Sequence, residues 1–353
     1  MRGLRVILSA LALVVLLALP AGVSAVSARE GASAGVGASG GGIPAAAADR
    51  SIGQQALVVG IGEQHPAMFG DPRFRALAIR YARISIAWDA LEHRSQSRAL
   101  AAWLRAARAD GVHPLISFEH SWSAGHHRQL PSAAAFAHQF RALHARYPWV
   151  TDFAVWNEAN YCGQPTCHSP GLVAAYYRAA RAACPSCNVL ASELLDVPGM
   201  VAWVGAVRHA LGYEPGIWGL HNYIGANRLS AASTRALLGA THGQIWFTET
   251  GGVVARHNHS SHDFPESAAH AAEVTRFVFN RLVPLSPRIT RVYLYQWSAG
   301  VRRREPWDSG LIGPHGSPRP AFWVLVRELH TLGQLPSTPA AEALLATAAR
   351  VGG

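Results

Sequence analysis

The chain has 353 residues and a formal net charge of +10; half of its residues are hydrophobic and only 15% are charged, so a large buried core is within reach. The sequence contains no lysine, and arginine alone carries the positive charge. No arginine cluster is interleaved with aromatic residues, so the basic balance reads as compositional bias, and a nucleic-acid partner is excluded as an expectation; attraction to an anionic cell envelope is retained.

Residues 1–28 read as a secretory signal: Arg2 and Arg5 precede an apolar run, Val6 to Leu19, followed by Pro20 and small residues. The run falls short of the ~20 residues of a membrane span. Export with no stable membrane insertion after signal cleavage is therefore expected, with an uncleaved anchor as the alternative. Residues 29–50 are rich in Gly, Ala and Ser and read as a flexible linker. Residues 51–335 have the size of one (β/α) barrel or of two ordinary domains. Residues 336–353 read as a loosely attached tail, a short helix or disordered.

Within 51–335, strand-like apolar runs alternate with amphipathic helical segments. In chain order the runs are "ALVVGIG" (56–62), "YARISIAW" (81–88), "HPLISFEH" (113–120), "DFAVWNE" (152–158), "NVLASELL" (188–195), "GIWGLHNY" (216–223), "QIWFTET" (244–250) and "RVYLYQW" (291–297). Helix candidates follow them, such as "RALAAWLRAARADG", stopped by Gly111. Eight such units predict a single (β/α)8 TIM barrel. The competing doubly wound sheet would carry a Gly-x-Gly-x-x-Gly turn after its first strand, and "GIGEQHPAMFGD" lacks that spacing.

The four cysteines form two close pairs. An even count in an exported chain favours disulfides, whereas C-x4-C followed by C-x2-C also has zinc-ligand spacing. A helix starting at Ser169-Pro170 would hold the pairs roughly 20 Å apart over ~15 residues. Two local disulfides, Cys162–Cys167 and Cys184–Cys187, are therefore expected, with no metal and no cofactor.

Carboxylates and amides gather at the C-terminal ends of these runs, where a barrel keeps its chemistry. They include Glu119-His120, Asn157-Glu158, Ser192-Glu193, His221-Asn222-Tyr223, Thr248-Glu249 and Tyr295-Gln296-Trp297. Strand alternation predicts that an inward Glu249 takes Phe247 and Ile245 inward with it, and an inward Glu158 takes Trp156 and Ala154. The fourth and seventh strands lie on opposing parts of the ring, so their tip carboxylates face across the mouth.

"WNEAN" resembles the W-N-E-P-N signature on the fourth strand of retaining glycoside hydrolases of clan A, the 4/7 superfamily. "WFTETGG" resembles their seventh-strand nucleophile segment, "LHNY" their sixth-strand H-x-Y, and "YQW" the eighth-strand end bearing a sugar-stacking tryptophan. The resemblance covers residues 55–335, lies nearest the Asl1-like or family 39-like members, and departs at Ala159, where proline is usual. It implies a carbohydrate substrate, hydrolysed at a β-linked O-glycosidic bond by double displacement. It also implies Glu158 as general acid/base and Glu249 as nucleophile, with Asn157 on the sugar 2-hydroxyl. Tyr223 would orient Glu249 and Arg83 would hold it ionised. His120 and His221 would line the subsite, with Trp297 under the sugar ring.

Other readings compete. Glu119 or Glu193 could partner Glu158 in place of Glu249, or the carboxylates could be structural. Trp156 reads as core packing, while Trp88, Trp122 and Trp307 divide between sugar stacking and barrel cover. The loop "HNHSSHD" offers His257, His259 and His262 to a metal-dependent hydrolase, and a non-catalytic carbohydrate-binding barrel is the third reading. The expectation is a monomer, secreted and in part associated with the cell envelope.

Overall fold

The computed structural model describes residues 56–256, 264–299 and 307–351. The signal and linker segments and the His257/His259/His262 string lie outside the described residues. β1 (Val58–Gly62), β2 (Tyr81–Ala87), β3 (His113–Glu119) and β4 (Asp152–Ala154) pair in order, all parallel. The fifth stave comes in two pieces. β5 (Asn188–Leu190) pairs with β4, and β6 (Glu193–Leu195) pairs with β7 (Ile217–His221). β8 (Gln244–Thr250) and β10 (Ile289–Tyr295) return the sheet to β1. The two ends of the sheet are thus consecutive pieces of one segment. Glu193 N–H donates to Trp156 O and Ala191 N–H to Ile217 O, each at 3.0 Å, and the ring closes. This is the (β/α)8 barrel, with β9 (Ala255–Arg256) and β11 (Trp307–Asp308) as a separate antiparallel pair.

The break in "NVLASELL", expected as one strand, has a steric logic. Leu190 aligns with Ala154, whereas Glu193 aligns with Gly219 and Leu195 with His221. The extra residue between the pieces switches the alternation and turns Glu193 toward the axis, which an unbroken strand would have prevented.

Helices α1 (Pro72–Leu77), α2 (Arg94–Ala109), α3 (Ala133–Arg146), α4 (Pro170–Ala183), α5 (Met200–Leu211), α6 (Tyr223–Asn227), α7 (Ala232–Ala240), α8 (Ala268–Phe277) and α9 (Pro320–Thr331) follow the strands. α2 buries Leu100, Trp103, Leu104 and Ala107, the stripe of an amphipathic helix against a sheet. Ser132 caps α3 and Ser267 caps α8, each accepting from a first-turn N–H. The tail is not loose: α10 (Pro339–Val351) buries Ala341 and Ala348 and packs on α9, and Arg327 Nη1 donates to Ala348 O at 2.6 Å. Its small residues at i and i+7 allow that close approach.

The lower barrel interior holds Leu115, Ala154, Leu190, Ile217, Trp246 and Tyr293. Arg291 lies 3.6 Å over Trp246 and ion-pairs with Asp152. β1 gives them room by carrying glycine inward: a Cβ on Gly60 would meet Tyr293 Cδ1 at 2.6 Å and the Tyr81 carbonyl oxygen at 2.9 Å. Gly60→Ala should therefore overpack the barrel and cost about 1–3 kcal/mol. Urea unfolding measures it, with an unchanged midpoint contradicting the interior packing described.

Candidate active site

Arg83, on β2 with its side chain on the axis, organises the mouth of the barrel. Its guanidinium donates to both Glu193 oxygens, from Nε at 2.7 Å and from Nη2 at 2.5 Å. Nη2 also donates to Asn157 Oδ1 at 2.7 Å, and Nη1 to Glu249 Oε1. Ser117 Oγ adds a bond to Glu193 Oε2 at 2.5 Å. Gly219 makes the space, since a Cβ there would stand 2.7 Å from Glu193 Cγ. Burial alone would raise the Glu193 carboxyl, but Arg83 overrides it and holds Glu193 well below the usual carboxylate range.

Glu158 and Glu249 meet above this pair. A carboxylate oxygen of each and a ring nitrogen of His221 lie within 4.8 Å of one another. His221 Nδ1 is 3.1 Å from Glu158 Oε1 and 3.7 Å from Glu249 Oε2, and Nε2 is 3.6 Å from Glu193 Oε2. Tyr223 donates from its hydroxyl to Glu249 Oε2 at 3.4 Å. Burial pushes the Glu158 carboxyl up, against the opposing His221 contact. For His221, burial acts downward, yet the Glu249 charge and the bonds to Glu158 and Glu193 lift it to about 9. With Glu158 protonated, Arg83 and His221 balance Glu193 and Glu249, and the buried cluster is neutral.

Both key glutamates reach the mouth through backbone irregularity rather than simple alternation. On β8 a register shift between Leu220 and His221 pairs Leu220 with Phe247 and His221 with Glu249. Trp246 therefore faces the interior while Ile245 and Phe247 pack outward in the main core, opposite to the expected parity. The β4 strand ends at Ala154, which does face inward; Trp156 turns out of the barrel and stacks on Tyr176 at 5.5 Å. Glu158 itself has φ 46°, a left-handed conformation rare for a non-glycine residue. The Ala159 N–H fastens it to Glu193 O at 3.0 Å.

Glu119 and Glu193, the alternative partners of Glu158, take other places. Glu193 is fully buried beneath the pair. Glu119 is also buried; it accepts from Trp122 Nε1 at 2.5 Å and Asn157 Nδ2 at 3.4 Å, and burial pushes its carboxyl up. Gln164, in the loop between Cys162 and Cys167, bridges the same group, approaching His120 Nδ1 at 3.1 Å and accepting from Trp156 Nε1 at 3.2 Å. Both expected disulfides are present, Cys162–Cys167 beside this loop and Cys184–Cys187 just before β5 at the opposite end of the barrel. Among the described residues, the groupings able to ligate a metal are Glu158/His221/Glu249 and two that use these bonded cysteines.

No protein-family model matches the sequence, and no curated protein matches it. Solved structures do. Xylanase 10B from Thermotoga petrophila RKU-1, in complex with xylobiose, is 11% identical with a TM-score of 0.58, over 78% of this chain and 94% of its own. A glucosidase from Croceicoccus marinus is 12% identical with a TM-score of 0.59, over 79% of this chain and 68% of its own. A family 39 glycoside hydrolase from Bacteroides cellulosilyticus WH2 is 17% identical with a TM-score of 0.50, over 80% and 64%. The chain has the fold of these glycoside hydrolases. It is a TIM barrel with polar side chains crowded at the C-terminal mouth, as the strand-end residues suggested.

Within that barrel two expected substrate contacts are corrected. Trp297 is only 1% exposed, packed edge-on against Phe74 and Phe322, with Nε1 donating to Asp71 Oδ2 at 3.1 Å. Alternation along β10 runs Arg291, Tyr293, Tyr295 on the axis, so Tyr295 is the aromatic at the mouth, beside Tyr223 and Trp307. His221 is fully buried and underlies the carboxylates instead of lining a subsite. His120 is half-buried at the rim. Ser117 and Gln164 went unremarked in the sequence, and Tyr295 was noted at a strand end with no role, although alternation from Glu119 and Tyr293 marks Ser117 and Tyr295 as axial.

His221 links this cluster to stability. Its ionisation rises from the ordinary 6.5 to about 9 in the fold, so its contribution is complete below pH 6.5 and is lost as pH climbs through about 9. Calorimetry should find Tm falling across that window, and His221→Gln should flatten the slope. A slope unchanged in the variant would place the titration elsewhere.

Proposed function

We propose that the protein is a retaining glycoside hydrolase that cleaves β-linked O-glycosidic bonds of an oligo- or polysaccharide. The observation that carries the reading is the Glu158–Glu249 pair, whose oxygens approach within 4.8 Å. Retaining enzymes hold their carboxyls ~5 Å apart, whereas inverting enzymes leave a gap for water of roughly 6.5–9.5 Å. The pair is also differentiated: Glu158 is buried and its carboxyl raised, while Glu249 is ion-paired to Arg83 with its side chain 12% exposed. Neighbours named endo-1,4-beta-xylanase and beta-glucuronidase support the β-linkage.

In the first step a Glu249 oxygen attacks the anomeric carbon as the bond to the leaving oxygen breaks, and Glu158 gives that oxygen its proton. In the second step Glu158 takes a proton from water, which attacks the same carbon and releases Glu249. Arg83, by an ion pair, and Tyr223, by a hydrogen bond, keep Glu249 aimed. Asn157, oriented by Arg83 and Glu119, donates toward the 2-hydroxyl, His120 borders the subsite, and Tyr295 takes the floor position expected of Trp297. The N-terminal apolar run and the two disulfides support export. No helix among the described residues is long and apolar enough to cross a membrane. We take the working form to be a monomer free of the membrane after signal cleavage, held to the cell envelope at most by charge.

The two glutamates should fail differently. Glu249→Ala should abolish turnover of every glycoside. Glu158→Ala should lose about 10²–10⁴-fold on poor leaving groups. With an activated aryl glycoside it should instead form the intermediate and stall at its hydrolysis, and azide should restart it to give a β-glycosyl azide. Wild-type activity should fall as pH rises through the raised Glu158 ionisation, and that alkaline limb should vanish in Glu158→Ala. An α-glycosyl azide, or full activity in Glu249→Ala, would mean the pair is misassigned.

A further inference from the structure

The residue after β6 is a buried aspartate that the proposed reaction leaves without a task. Asp196 is 6% exposed, and its own N–H is tied to the β7 end, donating to His221 O at 3.2 Å. Three donors converge on its carboxylate. Ile224 N donates to Oδ1 at 3.0 Å, Gly225 N to Oδ2 at 2.6 Å, and Ser233 Oγ, from α7, to Oδ2 at 3.0 Å. Such a group, buried and already engaged at both oxygens, serves the scaffold.

What it holds is α6, and α6 begins with Tyr223. A helix of five residues cannot sustain itself by propagation, so its first turn depends on outside partners. The residue at its N-cap position, Asn222, is fully buried and makes no capping bond. Asp196 supplies the cap from another stave of the barrel. Two acceptor oxygens are needed for three donors, which a carboxylate offers and an amide does not. The fit leaves no slack: a Cβ on Gly225 would meet Ser233 Oγ at 2.6 Å and Asp196 Oδ2 at 3.0 Å.

The far end of the turn is clamped to the loop that follows Glu249. Asn227 Nδ2 donates to Tyr223 O at 2.9 Å and Gly251 O at 3.0 Å, and its Oδ1 accepts from Val253 N at 2.9 Å. Between the two clamps the Tyr223 hydroxyl reaches Glu249 Oε2. We propose that Asp196 is a positioning residue that acts through Tyr223, fixing the turn so that the tyrosine hydroxyl stays on Glu249. This rests on the glycosidase reading only for its effect on rate, since the geometric claim stands without it.

The test is a double-mutant cycle in the full chain, with Asp196→Asn, Tyr223→Phe and the pair, on an activated aryl β-glycoside. Each single variant should lower kcat/KM by about 10–100-fold. The double variant should match Tyr223→Phe within about twofold, because residues acting through one contact are not additive. Multiplying losses, or an unaffected Asp196→Asn, would overturn the proposal. A second readout needs no activity: in protein labelled with ¹³C at the tyrosine ζ carbon, the signal lost in Tyr223→Phe should shift in Asp196→Asn. A wild type inactive on every glycoside would sink the hydrolase reading while that shift still decides the role of Asp196. If Asp196→Asn does not fold, Gly225→Ala, which crowds Oδ2 and keeps the charge, should move the same signal, and an unmoved signal overturns the proposal.

Discussion

Arg83 is a permanent cation at the centre of a barrel, out of reach of water, and the mouth is built around keeping it paired. Breaking such a buried pair from one side costs about 3–5 kcal/mol, because the surviving charge has nowhere to go. Glu193 meets it with two parallel bonds, the geometry that suits a guanidinium and would not suit an ammonium. That demand explains features that look unrelated. The fifth stave is broken so that Glu193 points inward, β7 carries glycine so that Glu193 fits, and Ser117 completes its shell. Once anchored, Arg83 still has donors for Asn157, from Nη2, and for Glu249, from Nη1, and so sets the position of both.

Much of this was legible in the residues. Alternation of apolar runs with amphipathic segments gave the barrel, and the costly strand-end side chains marked its mouth. Glu158 and Glu249 were distinguished from Glu119 and Glu193 only by local resemblance; the fold separates them by their partners, since Glu193 is sealed below against Arg83 and Glu119 is spent on Trp122 and Asn157. The errors share a cause. Parity arguments assume unbroken strands, and they failed at β8 and at the end of β4, while the fifth stave, expected as one strand, is broken; each is a place where the chain inserts a residue or turns left-handed to aim a glutamate. A sequence announces a glutamate but not the bulge that aims it. Trp297 was misplaced for a related reason: it lies beyond the last residue of β10, where alternation no longer applies.

The stapled loop also ties chemistry to packing. Cys162 and Cys167 close a short loop whose Gln164 touches His120, Trp156 and Glu119, and whose Thr166 donates to Ala159 O at 2.9 Å. The segment beside the left-handed Glu158 is therefore held from one side by the disulfide loop and from the other by β6. Ala159, where the signature that this segment resembles has proline, is fixed by hydrogen bonds on both its N–H and its carbonyl. A proline could make only one of them.

The neutrality of the cluster has a consequence for the proton inventory of the proposed reaction. While Glu249 is a free anion, it opposes ionisation of Glu158, as burial does. Esterified to a sugar, Glu249 carries no charge, and Arg83 and His221 then face Glu193 alone. The net charge of the cluster thereby rises by one unit, from neutral to positive. Glu158 is thereby driven toward its anion at the moment when the second half of the reaction calls for a base, and the return of the Glu249 charge at hydrolysis resets it. The site alternates between acid and base through the occupancy of its partner, a two-stroke cycle timed by charge.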